Sequence, residues 1–155
     1  MNIYNIKLYT LLTGTLFFID RLTKYIVMYA VSHYKFNDAL TFDLIFNRGI
    51  SFGLFHSENM ITFTAVNILV GSVIALLAAH TYSRMVNNQW VIGEAFIFTG
   101  AISNVIDRYL YGGVIDFIAL SYGNWHFAVF NLADIFIFVG VVCMLILEYR
   151  ELWKK

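Results

Sequence analysis

The stretch at 61–82 constrains the fold of this chain more than any other. It contains no Asp, Glu, Lys or Arg. About 20 predominantly apolar residues are enough for an α-helix to cross the hydrocarbon core of a bilayer. The stretch therefore predicts a transmembrane helix and is the clearest span in the sequence.

The composition of the whole chain agrees with this prediction. Of its 155 residues, 60% are hydrophobic and 13% are charged, and the mean hydropathy is +0.71. Soluble domains are typically about 45–50% apolar and about 25% charged, so we expect a single integral membrane domain over 1–155. The formal net charge is zero, which argues against a nucleic-acid partner. The lone Cys143 excludes an internal disulfide.

Three further apolar segments predict helices at roughly 8–28, 90–106 and 135–147, giving four transmembrane helices in all. The first segment could instead be the core of a signal peptide. Charged residues at 20–24 lie between that core and a possible cleavage site, which favours a retained helix.

The two longer loops carry the alternation and turn residues of short strands. The first loop predicts strands at 40–46 and 50–55 around a turn at 47–49. The second loop predicts strands at 114–120 and 125–130. Because four spans place both termini on one side, the two loops lie together on the other side of the membrane.

That shared side collects most of the polar residues of the chain. They are Asp20, Lys24, Asn47, Asn104, Asp107, Arg108, Asp116, Asn131 and Asp134. Lysine and arginine are equally numerous on the two sides, so the positive-inside rule alone does not orient the chain. Setting Arg21, Lys24, Arg48 and Arg108 aside as functional favours cytoplasmic termini.

Asp116 and Asp134 are the strongest candidates for chemistry. Each lies in an apolar setting with no basic residue close in sequence, and an unpaired charge among apolar residues is costly. Two carboxylates brought together cannot both ionise easily, so one keeps a proton. The ionised acid can activate water while the protonated one polarises a carbonyl. The two acids therefore predict a hydrolytic pair at a membrane surface.

The other polar residues allow simpler explanations. Asp20 and Lys24 are spaced for a local salt bridge on one helical face, and Asp107 with Arg108 could anchor a helix end at the interface. The four histidines are scattered without ligand spacing, and no serine elbow, Walker loop or dinucleotide-binding pattern is present. A small transporter that relays protons through intramembrane acids is a rival function.

At these residues the chain resembles the lipoprotein signal peptidases (signal peptidase II), aspartic proteases of the bacterial inner membrane. The resemblance rests on five motifs in order, at 20–24, 47–52, 104–108, 113–117 and 130–134. It implies a hydrolase that removes the signal peptide from diacylglyceryl prolipoproteins, cleaving before the lipidated cysteine. It also implies an all-α membrane protein of four transmembrane helices with a small extracytoplasmic β cradle and a mobile segment over the site.

The resemblance assigns roles by position. Asp116 and Asp134 are the implied catalytic residues, with neither assigned as the base because a coupled pair titrates as a unit. Substrate binding and support of the pair are implied for Asp20, Lys24, Asn47, Gly100, Asn104, Arg108 and Asn131. No metal or organic cofactor is implied.

The implied setting is the cell inner membrane, with cytoplasmic termini and a periplasmic active site. The expected partners are prolipoproteins, membrane lipids and the inhibitor globomycin, and the expected state is a monomer. An inactive lipoprotein-binding module is a further alternative, which would show no turnover to lose when either acid is replaced by Asn.

The chain departs from the usual family pattern at a few positions. Arg21 stands where Gln is common, Ile50 and Ser51 where alanines are common, and Ser103 where Gly is common. Ile50 and Ser103 are bulkier than the usual residues. We expect them to narrow the pocket and to alter selectivity rather than activity.

Overall fold

The structure, a computed structural model, describes residues 3–49 and 59–153. Within these residues the chain forms four helices and four strands. In chain order they are α1 (Ile3–Tyr29), β1 (His33–Lys35), β2 (Leu40–Asn47), α2 (Met60–Val86), α3 (Ile92–Tyr111), β3 (Val114–Tyr122), β4 (Trp125–His126) and α4 (Leu132–Leu152). The predicted strand at 50–55 lies outside the described residues, as do Ile50 and Ser51.

Two of the helices are long and apolar enough to cross a membrane within the described ranges. They are Met60–Val86 and Leu132–Arg150. The sequence predicted four crossing helices, and α1 and α3 fall short because they carry the charged side chains of the polar cluster. The coarse prediction of a helical membrane protein holds, with a four-stranded sheet between its helices.

The third helix is longer than predicted, which moves two charged residues from a loop onto a helix. It was expected to end near 106, but α3 continues to Tyr111 and ends at Gly112, whose φ of 70° is left-handed. Asp107 and Arg108 therefore project from its last turns and are buried. These polar residues do not mark the end of the helix, because Asp107 and Arg108 have partners on other parts of the fold.

The sheet is antiparallel in the order β1-β2-β3-β4. In the central pair, Asn47 lies opposite Val114 and Ile45 opposite Asp116, with an irregularity between Phe42 and Ile45. This register places the end of β2 beside Asp116. Buried Ile115 and Phe117 alternate with Asp116 along β3, and they pack against Val27 of α1.

The outer strands differ from the predictions. The short β1 was not predicted because its side chains are all exposed and carry no apolar alternation. The strand expected at 125–130 is reduced to Trp125–His126, followed by an isolated bridge between Phe130 and Ile118.

Glycines bring α3 and α4 into backbone contact. A Cβ atom at Gly93 would lie 2.7 Å from the carbonyl oxygen of Gly140, and one at Gly140 would lie 2.6 Å from that of Gly93. At Gly100 a Cβ atom would collide with the carbonyl oxygen of Ala133. Small residues permit such approach in membrane helices. The contact fixes the end of α3 that bears Asn104 against the start of α4.

An ion pair at the other end of the helices joins α2 to α3. Arg84 Nε lies 2.9 Å from Glu94 Oε1, and both side chains are buried. His80 Nε2 is 3.6 Å from the same carboxylate. The pair links α3 to α2, most of whose surface is exposed.

Candidate active site

Asp116 occupies a buried position on β3, and both of its carboxylate oxygens accept hydrogen bonds. Asn131 Nδ2 donates to Oδ1 at 2.6 Å, and Asn47 Nδ2 donates to Oδ2 at 2.9 Å. The side chain is almost completely shielded, with 2% of the residue exposed. Three elements therefore hold this carboxylate in one orientation.

Asp134 lies in the first turn of α4 and is held by a reciprocal cap. The backbone N–H of Asn131 donates to Asp134 Oδ2 at 3.2 Å, while Asn131 Oδ1 accepts from the backbone N–H of Asp134 at 3.0 Å. This is the geometry of a capping box. The predicted start of the helix at 135 is therefore wrong, and the spacing of Asn131 and Asp134 was the signal that could have located it.

Asn104 completes the link between the acids and α1. Its Nδ2 donates to Asp134 Oδ1 at 3.0 Å, and its Oδ1 accepts from Lys24 Nζ at 2.9 Å. Asn131 Nδ2 also lies 3.2 Å from Asn104 Oδ1. The amides of Asn104 and Asn131 thus connect both carboxylates to a buried ammonium.

Asn47 and Arg108 hold the turn after β2 against the site. Gly49 N–H donates to Asn47 Oδ1 at 2.9 Å, and Arg108 Nη2 donates to the Gly49 carbonyl at 2.8 Å. Arg108 is also buried and lines the same cavity as the two acids. Its guanidinium can therefore meet a peptide carbonyl that enters the cavity.

A buried charge network lies behind the acids. Lys24 is fully buried between Asp20 Oδ2 at 2.9 Å and Asp107 Oδ2 at 2.7 Å. Asp20 Oδ1 accepts from the backbone N–H of Ala133 at 2.9 Å, which ties α1 to the start of α4. The Asp20–Lys24 pair is therefore part of a larger network rather than only a local salt bridge.

Three members of this network were not assigned to the site from the sequence. The sequence places Asp107 on the shared polar side but explains it as an interfacial anchor, and it marks Arg21 and Ser103 as departures from the family pattern without giving them contacts in the site. Arg21 Nη2 lies 2.7 Å from Asp107 Oδ1. Ser103 Oγ donates to Asp20 at 2.5 Å. These partners are distant in sequence, and only the spacing of the acids and bases along α1 and α3 hints at the contacts.

Ser103 and Gly100 do not line the cavity that contains the two acids. Neither is among the described residues that line the cavity. Ser103 turns its hydroxyl toward α1, so the prediction that it narrows the pocket is wrong. Gly100 lies at the α3–α4 contact, where its lack of a side chain serves packing.

The surroundings of Asp116 favour its protonated form. Burial, and then the negative charge of Asp134, raise the pKa of Asp116 to about 7, against the opposing hydrogen bonds from Asn47 and Asn131 and the charge of Lys24. The carboxyl can therefore hold a proton near neutral pH, which a normal aspartate cannot.

Both acids open onto a cavity of about 590 Å³. Its polar end carries the two carboxylates, Asn47, Asn104 and Arg108, and its remaining walls are apolar. The apolar part extends along α4 through Phe138 to Val141 and is closed on the α2 side by Val70. Among the described residues, no group of three or more His, Cys, Asp or Glu is placed to hold a metal ion.

Comparisons with known proteins agree with this geometry. The family model described as signal peptidase (SPase) II matches residues 12–150. A lipoprotein signal peptidase of Pelagibacter ubique is 34% identical over 153 residues, covering 96% of this chain and 91% of that protein. One of Burkholderia vietnamiensis is 42% identical over 112 residues, covering 70% of this chain and 65% of that protein.

The fold is also that of a solved protein described as a bacterial membrane enzyme. The TM-score is 0.77, with 97% of this chain and 92% of that chain covered and 21% sequence identity. The family match spans all of the residues that form the paired acids and the network behind them. The chain therefore belongs to the signal peptidase II family of proteases.

Proposed function

We propose that the protein is a membrane aspartic endopeptidase that removes the signal peptide from diacylglyceryl prolipoproteins, cleaving before the lipidated cysteine. Asp116 and Asp134 are its catalytic pair. The observation that carries the proposal is that a buried and a half-buried carboxylate, both held by asparagine amides, open together onto the polar end of an apolar cavity. The names of the relatives in Pelagibacter and Burkholderia support the substrate class.

The chemistry follows from a shared proton on the pair. The ionised carboxylate takes a proton from water as the water oxygen attacks the scissile carbonyl carbon, while the protonated carboxyl gives its proton to the carbonyl oxygen. The resulting tetrahedral diol collapses as the C–N bond breaks. The carboxyl that took the proton from water gives it to the leaving nitrogen, and the other carboxylate takes a proton from a diol hydroxyl, which restores the pair. The products are a signal peptide with a new carboxylate and a lipidated cysteine with a free amino group.

The residues around the pair restrict where the substrate can bind. Arg108 and the amide groups of Asn47 and Asn104 line the polar end of the cavity and are placed to hold an extended peptide backbone. The apolar walls along α4 suit the acyl chains or the signal helix. Precise placement of substrate relative to catalytic groups contributes a large part of enzymatic rate enhancement.

The membrane topology belongs to the same proposal. We place all four helices across the bacterial inner membrane as one domain, with cytoplasmic termini, a periplasmic site and a monomeric state. Charged residues make α1 less apolar than a typical transmembrane helix. Two of them, Asp20 and Lys24, form an ion pair and are fully buried inside the protein. The face of α1 that remains exposed carries residues such as Leu11 and Phe18, as a lipid-facing surface requires.

The test is cleavage of a purified diacylglyceryl prolipoprotein in detergent, with and without globomycin. We expect cleavage that globomycin stops. Asp116→Asn and Asp134→Asn should each lose turnover while still binding the substrate, because Asn has nearly the same shape as Asp and the rest of the cavity wall is unchanged. Asp43→Asn is the matched control, since Asp43 is an exposed acid of the same sheet and should cleave normally.

Two results would contradict the proposal. One is turnover by either Asn variant at the native rate, which would exclude the pair as catalytic. The other is a folded native protein that binds the prolipoprotein without cleaving it, which would favour a binding module.

A further inference from the structure

The Lys24 ammonium has three acceptors for its three protons. They are Asp20 Oδ2 at 2.9 Å, Asp107 Oδ2 at 2.7 Å and Asn104 Oδ1 at 2.9 Å. The first two are carboxylates, whereas the third is the amide that donates to Asp134. The contact with Asn104 therefore links Lys24 to Asp134 by hydrogen bonds.

One buried lysine cannot balance two buried carboxylates. With Asp20 and Asp107 both ionised, Lys24 alone would leave a net negative charge in a region shielded from water, which is costly. Arg21 removes this imbalance, because its Nη2 lies 2.7 Å from Asp107 Oδ1. The four charged groups then sum to zero, and Asp107 has a separate cation for each of its oxygens.

Ser103 connects the arginine to the other acid. Its hydroxyl donates to Asp20 Oδ2 at 2.5 Å and accepts from Arg21 Nη1 at 3.2 Å. Arg21 Nη1 also lies 3.3 Å from the Ser103 carbonyl oxygen. The guanidinium thus spans one turn of α3, from Ser103 to Asp107.

The two residues that depart from the family pattern at the ends of α1 and α3 are therefore in contact. Glutamine in place of Arg21 would carry no charge for Asp107, and glycine in place of Ser103 would offer no hydroxyl to Asp20. We propose that Arg21 and Ser103 are positioning residues that act together, holding the Lys24 ammonium between the two acids and Asn104 and so fixing Asn104 against Asp134. This inference rests on the proposed function of the pair.

Loss of the Arg21 charge should change the pH dependence of the site. In the described residues, the charged groups that face Asp116 come from α1, α3 and α4, while β2 contributes the neutral Asn47 and α2 only Val70. Those groups are Lys24, Arg108 and Asp134. Arg21 reaches them through Asp107, which contacts both Arg21 and Lys24. Loss of the Arg21 charge makes the network around Lys24 more negative, which should raise the pKa of Asp116.

The first experiment compares native enzyme with Arg21→Gln, Arg21→Lys, Ser103→Ala and the Arg21→Gln/Ser103→Ala double variant. Arg150→Gln is the control, because Arg150 is exposed at the far end of α4. We expect Arg21→Gln to lower kcat about 10–100-fold with little change in KM, as loss of an orienting contact does. The basic limb of kcat against pH, which reports the proton held by Asp116, should move to higher pH, and Arg21→Lys should restore that limb because it keeps the charge.

The double variant tests whether the two residues act as one. We expect its loss of kcat to be smaller than the product of the two single losses, because each single change already releases Lys24. Two results would overturn the proposal. One is a double variant whose loss of kcat equals the product of the two single losses. The other is an Arg21→Gln enzyme with lowered thermal stability but native kcat and pH profile, which would leave Arg21 as a purely structural residue.

A second measurement does not depend on turnover. Carbon-13 NMR of the aspartate carboxyl carbons in detergent micelles reports the pKa of Asp116 directly in native protein and in Arg21→Gln. A higher pKa in the variant supports the proposal, and an unchanged pKa overturns it. If native protein fails to cleave prolipoprotein, the proposed function fails while this titration still decides the role of Arg21.

Discussion

Lys24 offers a quantitative test of the buried network. Its side chain is fully buried and contacts Asp20 at 2.9 Å and Asp107 at 2.7 Å. Lys24→Met keeps a similar length and shape but removes the charge. Of the network's two cations, Arg21 then remains to offset the charges of the two buried carboxylates. Breaking a buried ion pair by removing one partner typically costs about 3–5 kcal/mol, because it leaves an uncompensated buried charge.

A second lysine of the same chain provides the control. Lys35 Nζ lies 2.7 Å from Asp38 Oδ1, the same distance as in the Lys24–Asp107 pair, but the two side chains are 60% and 99% exposed. Exposed pairs contribute little because water and salt screen them. We therefore expect Lys35→Met to leave the free energy of unfolding unchanged within error.

The assay is denaturant-induced unfolding of both variants in the same detergent, followed by tryptophan fluorescence. Lys24→Met combined with Asp107→Asn should recover part of the loss, since the second change removes one uncompensated carboxylate. Equal effects of Lys24→Met and Lys35→Met, or no recovery in the double variant, would refute the argument that burial of charge determines the cost.

Three further changes test other parts of the structure. Because the pKa of Asp116 is raised to about 7, the folded chain binds this proton more tightly than the unfolded chain, and stability should fall as the pH rises from about 4 to 7. In Asp116→Asn this decrease in the free energy of unfolding between the two pH values should be smaller by up to roughly 4 kcal/mol, measured by unfolding at several pH values. Gly100→Ala should cost about 1–3 kcal/mol through overpacking, whereas Gly71→Ala, with nothing within 4 Å of the new Cβ, should be neutral or stabilising in thermal unfolding. Glu94→Gln leaves buried Arg84 without its 2.9 Å carboxylate partner and should lower the melting temperature without shifting the pH profile of cleavage.

The sequence was informative where the signal is local, as in a long apolar stretch or an acidic residue within an apolar run. The apolar stretch at 61–82 predicted α2, which the structure extends to Met60–Val86. Asp116 and Asp134 stood out because each acid lies in an apolar run, and the structure brings both to one cavity. Local pattern is enough in these cases, because the anomaly is visible within a few residues.

The sequence was less informative where partners are distant along the chain. Arg21 and Ser103 are separated by 82 positions, so no local pattern shows that one satisfies the other. For the same reason the polar residues at the end of α3 looked like the start of a loop. They stay helical because Lys24 and Arg21 neutralise Asp107.

The backbone contact between α3 and α4 also determines how this chain can diverge. Exposed apolar positions away from the cavity, such as Leu145 and Ile146, need only remain apolar and can exchange among many side chains. Gly93 and Gly140 have no such freedom, because any added carbon meets the opposing main chain. Random mutagenesis with selection for function should therefore tolerate few substitutions at Gly93, Gly100 and Gly140, so that tolerance plotted along α3 and α4 would trace the line where the two backbones touch.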